Sequence, residues 1–163
     1  MSDITVCLAG NPNVGKSTIF NSLTHSKQHT GNWAGKTVDN QIGLMKYKGN
    51  NYYIYDLPGT YSLLSHSEEE RLARDFLVFE EYDFTIVVCD SSNLLRNLNF
   101  VIQLREINSN IILCLNLIDE AKKKKIKINT SVFTMIIAIA LRFIPTLINE
   151  TNKILKAQAS RGV

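Results

Sequence analysis

The chain has 163 residues, of which 45% are hydrophobic and 20% are charged, and its formal net charge is +3. This is the composition of a globular domain that is long enough to bury a core. The charge is too small for the clustered basic face that nucleic-acid binding requires, so we expect no nucleic-acid partner. Cys7, Cys89 and Cys114 each lie inside an apolar run and predict buried free thiols instead of disulfides or a metal site.

The first part of the chain alternates apolar runs with one helical segment. Residues 4–10, ITVCLAG, predict a buried strand, and a helix is predicted over Lys16–Thr24, directly after a glycine-rich turn. Residues 25–40 are polar, have little periodicity and predict a long mobile loop. Residues 41–47 and 52–56 flank the sequence KGNN and predict a β-hairpin.

The alternation continues towards residue 116. A helix is predicted over residues 67–79, and three glutamates occupy its first turn, where the helix dipole favours carboxylates. Residues 84–90 and 110–116 predict buried strands, and the helix between them, residues 94–107, can be capped by Asn93. Strands that alternate with helices predict a parallel sheet covered on both sides, here with an antiparallel edge hairpin.

Residues 132–148, VFTMIIAIALRFIPTLI, form the most apolar segment of the chain. The segment is short for a membrane span, and Arg142 and Pro145 interrupt it. We therefore predict a buried helix followed by a core strand that ends at residues 144–146.

A phosphate-binding motif lies between the first predicted strand and the first predicted helix. Gly10, Gly15, Lys16 and Ser17 have the spacing G-x-x-x-x-G-K-[ST]. The glycines allow backbone N–H groups to surround the β-phosphate, and the helix N-terminus adds a partial positive charge. Lys16 is expected to contact the β- and γ-phosphates, and the Ser17 hydroxyl is expected to ligate Mg²⁺.

Two further motifs follow predicted strands, at the carboxyl end where such sheets bind ligands. In DLPG, residues 56–59, the Asp56 carboxylate can hold the magnesium shell, and Gly59 allows a backbone N–H to approach a γ-phosphate. In NLID, residues 116–119, the Asp119 carboxylate can accept both N1–H and N2–H₂ of guanine. Adenine has an unprotonated N1 in that place, so these motifs predict GTP and GDP as the nucleotides.

The three motifs, in this order and spacing, resemble those of a Ras-like translation-factor-class G domain. The stretches GNPNVGKSTIFN, TGNWAGKTVDN, YDLPGTYSL and NLLRNLNFVIQL are similar to the N-terminal cytoplasmic G domain of the FeoB family, prokaryotic ferrous-iron transporters. The similarity covers residues 4–129, and the family's guanine motif typically lacks a lysine, as here at Leu117. The resemblance implies an α/β, Ras-like P-loop GTPase fold with a mostly parallel six-stranded sheet flanked by helices.

The resemblance also implies roles for individual residues. Thr37 corresponds to the switch I threonine that ligates Mg²⁺ when GTP is bound, so Ser17, Thr37 and Asp56 are the expected magnesium ligands. Switch I is then residues 25–39, and switch II begins at Asp56 and ends near residue 67. The expected nucleotide-binding residues are Gly10, Asn11, Asn13, Val14, Gly15, Lys16, Ser17, Thr18, Gly35, Lys36, Thr37, Asp56, Gly59, Asn116, Asp119 and Thr146.

The expected hydrolysis is slow and is stimulated by K⁺. Ras-type enzymes orient the attacking water with a glutamine after D-x-x-G, but this chain has Thr60 there and no arginine in the P-loop or switch I. Resemblance to potassium-activated G domains places K⁺ at the side-chain carbonyl of Asn13, while Asn11 is expected to brace the loop through local hydrogen bonds. The expected catalytic residues are Asn13, Lys16, Thr37 and Gly59.

The sequence departs from the family pattern after Asn129. Family G domains have a serine-alanine turn that contacts guanine, whereas LINETNK stands here, so residues 146–149 are expected to contact the base through their backbone. We expect residues 1–163 to form a single G domain, with residues 4–129 carrying the motifs and residues 130–163 as an atypical C-terminal part.

The expected function is that of a GTP-binding, slowly hydrolysing domain that regulates ferrous-iron transport. Its expected partner is a membrane-spanning permease region, in the same longer chain or in a second protein, at the cytoplasmic side of the inner membrane. A homo-oligomer is a further candidate assembly. Two alternatives stay open: a soluble GTPase of the Era or tRNA-modification class, and a degenerate nucleotide-binding module without efficient turnover.

Overall fold

The computed structural model describes residues 2–25, 28–30, 41–64, 67–126 and 130–160. The chain divides into two compact units, Met1–Ile126 and Lys127–Val163. Within the described residues, the first unit contains the strands and four helices, and the second contains one long helix. The expectation that residues 1–163 form a single domain stays a prediction.

The first unit alternates strands and helices in chain order. Its elements are β1 (Asp3–Gly10), α1 (Lys16–Thr24), β2 (Gln28–Thr30), β3 (Gln41–Tyr47), β4 (Asn50–Asp56), α2 (Glu68–Phe79), β5 (Phe84–Asp90), α3 (Leu94–Ile107), β6 (Ile111–Asn116) and α4 (Ile118–Lys123). The second unit contains α5 (Thr130–Ser160).

The strands form one sheet in the order β2-β3-β4-β1-β5-β6. β1 pairs in parallel with β4 and β5, and β5 pairs in parallel with β6. β2 and β3 form an antiparallel edge, because β3 pairs antiparallel with both β2 and β4. This topology confirms the expected α/β fold with a mostly parallel six-stranded sheet.

The core of the first unit lies around the central strand β1. A buried cluster joins Val6 and Leu8 of β1 to Ile54, Val88 and Phe20, which come from both neighbouring strands and from α1. Each of these side chains is at most 1% exposed, and burying an aliphatic or aromatic side chain stabilises a fold by about 1.5–3 kcal/mol. The continuous apolar runs of β1 and β5 are therefore explained by burial on both faces.

The predicted hairpin between β3 and β4 is present and has a two-residue turn. Tyr47 pairs with Asn50, which leaves Lys48 and Gly49 as the loop. Both loop residues have positive φ, 48° and 81°, as a type I′ hairpin turn requires.

The predicted start of α2 is also present. Ser67 Oγ accepts a hydrogen bond from Glu70 N–H at 3.1 Å, and a Glu70 carboxylate oxygen accepts one from Ser67 N–H at 3.4 Å. This reciprocal pair is a capping box. At α3 the expected cap is wrong in detail, since Asn93 occupies the N-cap position but its side chain makes no capping hydrogen bond.

The prediction of a long loop over residues 25–40 is wrong near its start. Residues Gln28–Thr30 form the edge strand β2, which pairs with β3 from Gln28–Gly43 to Thr30–Gln41. A three-residue strand has no measurable periodicity, and its hydrogen bonds come from β3, so nothing local in the sequence marks it. Residues 31–40 lie outside the described residues.

The prediction of a strand at residues 144–146, followed by a loop over 146–149, is wrong. Both segments lie inside α5, a continuous helix of 31 residues. The segment 130–160 contains no glycine, and the helix formers alanine and leucine recur through it. Pro145 removes one backbone donor, at a cost of about 3 kcal/mol in a helix interior, but it does not end this helix.

The prediction that this segment begins as a buried helix is wrong for the side chains that the structure describes. In α5 these are Ala138, Phe143 and residues 146–159, and all of them are exposed. Among the described residues, no helix has the combination of length and apolar character that crossing a membrane requires.

Candidate nucleotide-binding site

The loop between β1 and α1 has the backbone geometry of a phosphate-binding loop. Gly15 is the N-cap of α1 and has a left-handed backbone, with φ of 82°. A side chain at this position would be strained and would overlap the side-chain nitrogen of Asn116. Because no side chain caps α1, the N–H groups of Lys16, Ser17 and Thr18 in its first turn are not bonded by a capping side chain. This end of the helix is suited to an anion.

The two asparagines of the loop differ in environment. Asn13 is exposed and has a left-handed backbone with φ of 64°, a conformation that asparagine tolerates. Asn11 is only 3% exposed, and its Oδ1 has no hydrogen-bond partner among the described residues. The local hydrogen bonds that were expected from Asn11 are therefore not seen at this oxygen, whereas Asn13 is an exposed residue.

Lys16 and Asp56 arrive at one point from two elements. Lys16 begins α1, Asp56 ends β4, and Lys16 Nζ donates a hydrogen bond to Asp56 Oδ1. The side chains are 12% and 10% exposed. Burial raises the pKa of Asp56 above its ordinary value, and the Lys16 charge opposes part of that rise. A cation and a hard carboxylate oxygen therefore lie together beside the loop, in a site partly shielded from water.

The residues after Asp56 lie against the same loop. Gly59 approaches Pro12 so closely that an added Cβ would stand 3.1 Å from Pro12 Cα. Thr60 N–H donates to the carbonyl of Gly10 at 3.1 Å, and the Thr60 hydroxyl donates to the carbonyl of Ser62 at 2.7 Å. Thr60 is buried, so its side chain serves the local structure of this segment.

The guanine motif is tied to the phosphate-binding loop by Asn116. Its Nδ2 donates to the carbonyl of Val14 at 2.9 Å, although the two residues are 102 positions apart. Leu117 has a left-handed backbone with φ of 56°, and Asp119 lies in the first turn of α4 with its side chain exposed. The helix α4 was not predicted from the sequence, and neither was the Asn116 contact, which no local pattern marks.

The structure brings most of the expected site residues to the carboxyl ends of three strands. Gly10 is the last residue of β1, and it is followed by Asn11, Asn13, Val14, Gly15, Lys16, Ser17 and Thr18. Asp56 and Gly59 lie at the end of β4, and Asn116 and Asp119 lie at the end of β6. Gly35, Lys36 and Thr37 lie outside the described residues. Thr146 lies within α5, in the second unit, so the loop conformation expected around it is absent.

The donor atoms suit a nucleotide with its magnesium ion. Mg²⁺ is commonly held in such sites by one or two protein oxygens together with phosphates and water, and the exposed Ser17 hydroxyl and the Asp56 carboxylate are oxygens of this kind. The uncapped first turn of α1 and Lys16 supply the positive side of the site. The fold and these elements together define the class: a P-loop G domain with a Ras-like GTPase fold.

Comparison with known proteins gives the family. Residues 4–158 match the family Ferrous iron transport protein B, and the chain belongs to this family. The Fe(2+) transporter FeoB of Helicobacter pylori is 47% identical over 131 residues, which are 80% of this chain and 20% of that protein. The chain therefore spans about a fifth of the length of this relative. The family assignment decides against the Era or tRNA-modification class.

Solved structures agree in fold. The FeoB G domain of Methanococcus jannaschii superimposes with a TM-score of 0.72 at 38% identity, covering 85% of this chain and 83% of that one. The cytosolic domain of T. maritima FeoB, solved in a GDP form, has a TM-score of 0.70 at 44% identity, covering 75% and 48% of the two chains. The same T. maritima domain is also known in a GMPPNP form.

Proposed function

We propose that this chain binds GTP and GDP with Mg²⁺ and hydrolyses GTP slowly, with K⁺ as activator. The observation that carries the proposal is the convergence of Lys16 and Asp56 beside the uncapped N-terminus of α1. An ammonium group, the backbone N–H groups of a helix N-terminus and a carboxylate are the groups that a magnesium nucleotide needs. The GDP and GMPPNP forms of the T. maritima domain support the choice of a guanine nucleotide.

In this proposal the two partners of the ion pair exchange contacts when nucleotide binds. Lys16 moves to the phosphates, and Asp56 joins Ser17 and Thr37 in holding Mg²⁺. The ion neutralises phosphate charge when it is bound. The remaining work of the chain is positional: the first turn of α1 orients the phosphates, and Gly59, held against Pro12, offers its N–H to the γ-phosphate.

We assign the K⁺ site to the amide oxygen of Asn13. The Thr60 hydroxyl is bonded to Ser62, so it does not take the role of the glutamine in Ras-type enzymes. In related enzymes an arginine supplies a positive charge that accelerates GTP hydrolysis about 10³–10⁵-fold. K⁺ is expected to accelerate GTP hydrolysis relative to Na⁺ at equal ionic strength, and Asn13→Ala should abolish this difference while leaving GDP affinity nearly unchanged. A wild-type rate that is the same in both salts would overturn the assignment.

Base recognition is assigned to Asp119, whose exposed carboxylate can accept the two donors of guanine. Asp119→Asn replaces one acceptor oxygen by a donor, which opposes N2–H₂ but suits the 2-oxo group of xanthine. Nucleotide preference should therefore move from GTP towards XTP, measured by competition binding. Retained guanine selectivity in the variant would show that another group reads the base.

In the longer protein we propose that nucleotide binding regulates the passage of Fe²⁺ through a membrane-spanning region, with this domain at the cytoplasmic side. The proposal rests on the relatives, which are Fe(2+) transporters several times longer than this chain. Lys16→Ala in a full-length protein should lower cellular Fe²⁺ uptake at an equal level of protein in the membrane. Uptake equal to that of the wild type would contradict the regulatory role.

A second candidate is a nucleotide-binding module without efficient turnover. It is favoured by the helical conformation of residues 146–149, where a loop contacting the base was expected. Single-turnover measurements separate the two candidates. Hydrolysis no faster than that of GTP free in solution would favour the nucleotide-binding module without efficient turnover.

A further inference from the structure

The segment that follows Gly59 is held by a residue outside the three nucleotide-binding motifs. Gln103, on α3, accepts two hydrogen bonds at Oε1: one from the Leu63 N–H at 2.8 Å and one from the Ser62 hydroxyl at 3.0 Å. An amide oxygen has two lone pairs and can accept both at once. Ser62 Oγ also accepts from the Leu64 N–H at 3.0 Å, so three consecutive residues are organised around this contact.

The contact continues to the phosphate-binding loop. Ser62 is bonded through its carbonyl to the Thr60 hydroxyl, and Thr60 N–H is bonded to the Gly10 carbonyl. Gly59, between Asp56 and this anchored segment, lies against Pro12. A connected series of hydrogen bonds therefore runs from Gln103 through Ser62 and Thr60 to Gly10, in the loop that would hold the phosphates. Gly59 directly precedes Thr60 in this series.

The helix that carries Gln103 is a firm support. Phe100, Val101 and Leu104 of α3 are fully buried, so the neighbouring Gln103 has a fixed backbone position. The same helix makes a second contact with the segment, because the guanidinium of Arg96 lies 4.0 Å from the centre of the Tyr61 ring. Residues 60–63 are thus each held by a group on α3 or on the phosphate-binding loop.

We propose that Gln103 is a positioning residue for γ-phosphate recognition: by binding Ser62 and Leu63 it holds Gly59 where its N–H can contact the γ-phosphate. The inference rests on the proposed binding of GTP and GDP by this chain. GDP has no γ-phosphate for Gly59 to contact. Gln103 therefore contributes to the affinity for GTP and leaves the affinity for GDP unchanged.

Gln103→Leu tests the proposal, since leucine has a similar size and no acceptor. Affinities for GDP and GMPPNP are measured by calorimetry with Mg²⁺ on the 163-residue chain. The Kd for GMPPNP should rise about tenfold, the effect of losing two hydrogen bonds of ordinary strength, and the Kd for GDP should change less than about twofold. Gln103→Glu keeps an acceptor oxygen at the same reach and should restore GMPPNP affinity to within about threefold of wild type.

Two further variants control for structure. Asn99→Leu, at an exposed position of the same helix, should leave both affinities unchanged. Ser62→Ala removes one of the two donors and should give about a threefold loss for GMPPNP alone, which tests the proposal even if Gln103→Leu does not fold.

The possible results separate this proposal from the one on which it rests. If Gln103→Leu weakens GDP and GMPPNP equally, or neither, or tightens GMPPNP, the positioning role is overturned while nucleotide binding stands. If the wild-type chain binds neither nucleotide, the proposed function fails and the positioning role fails with it.

Discussion

The two compact units of this chain differ in where their apolar side chains lie. In Met1–Ile126, large apolar residues such as Phe20 and Phe100 are completely buried in a sheet-and-helix core. In Lys127–Val163, the helix α5 has large apolar side chains that are about half exposed, among them Phe143 at 56% and Leu147 at 62%. Apolar side chains thus form a closed core in one unit and lie exposed on a helix in the other, because a core requires strands and helices that converge from several parts of the chain.

A matched pair of substitutions gives the largest expected effect. Phe20→Ala removes a ring that is fully buried among Val6 and Leu8 and should lower the free energy of unfolding by about 3–5 kcal/mol. Phe143→Ala removes a ring that is 56% exposed and should change it by less than about 0.5 kcal/mol. Urea unfolding followed by circular dichroism measures both.

The same two substitutions can also contradict the difference in burial between the two units. A loss for Phe143→Ala as large as that for Phe20→Ala would mean that α5 is covered in solution, and the distinction between the two units would then not hold.

The first unit could be predicted closely because local signals and packing agree there. β1 and β5 are continuous apolar runs, as is typical of strands buried on both faces. The predicted bounds of both strands differ from those in the structure by at most one residue. The predicted start of α1 at Lys16 was confirmed, because a glycine with positive φ precedes it and marks the boundary. The three nucleotide motifs also lie at the carboxyl ends of strands, as the sequence predicts.

What failed depends on contacts distant in sequence. β2 takes its hydrogen bonds from β3, and the contact of Asn116 with Val14 spans 102 positions. In α5 the apolar run of residues 132–148 suits either a buried helix and strand or one long helix. A buried helix and strand would require a neighbouring strand for the second element to pair with. The described residues form one long helix instead.

A second pair of substitutions compares lysines in the two units and has an intermediate expected effect. Lys16→Ala leaves the carboxylate of Asp56 without its partner beside the phosphate-binding loop. Nucleotide phosphates then lose a charged donor and meet an unopposed negative charge. The Kd for GTP should rise about 10- to 100-fold, since a hydrogen bond to a charged group contributes about 1.5–3 kcal/mol. Calorimetry is the measurement.

The control is Lys153→Ala in α5. Lys153 forms an exposed ion pair with Glu150 at 2.7 Å, and such pairs contribute little. GTP affinity should be unchanged in this variant. A loss comparable to that of Lys16→Ala would contradict the assignment of GTP binding to the residues around Lys16.

The smallest expected effect concerns how helices in the two units are stabilised. Ser67→Ala removes the acceptor of the capping box at α2 and should destabilise the first unit by about 1 kcal/mol, because the N–H of Glu70 loses its partner.

Thr151→Ala in α5 also removes a hydroxyl, which donates to the Leu147 carbonyl at 2.8 Å. That carbonyl already serves as a helix acceptor and alanine is the better helix former, so this change should stabilise α5 by up to about 0.7 kcal/mol. The signs should therefore be opposite in thermal unfolding. Destabilisation by Thr151→Ala would contradict the exposed environment of α5, because removing an exposed hydroxyl from a helix has no reason to cost stability unless the side chain packs against something else.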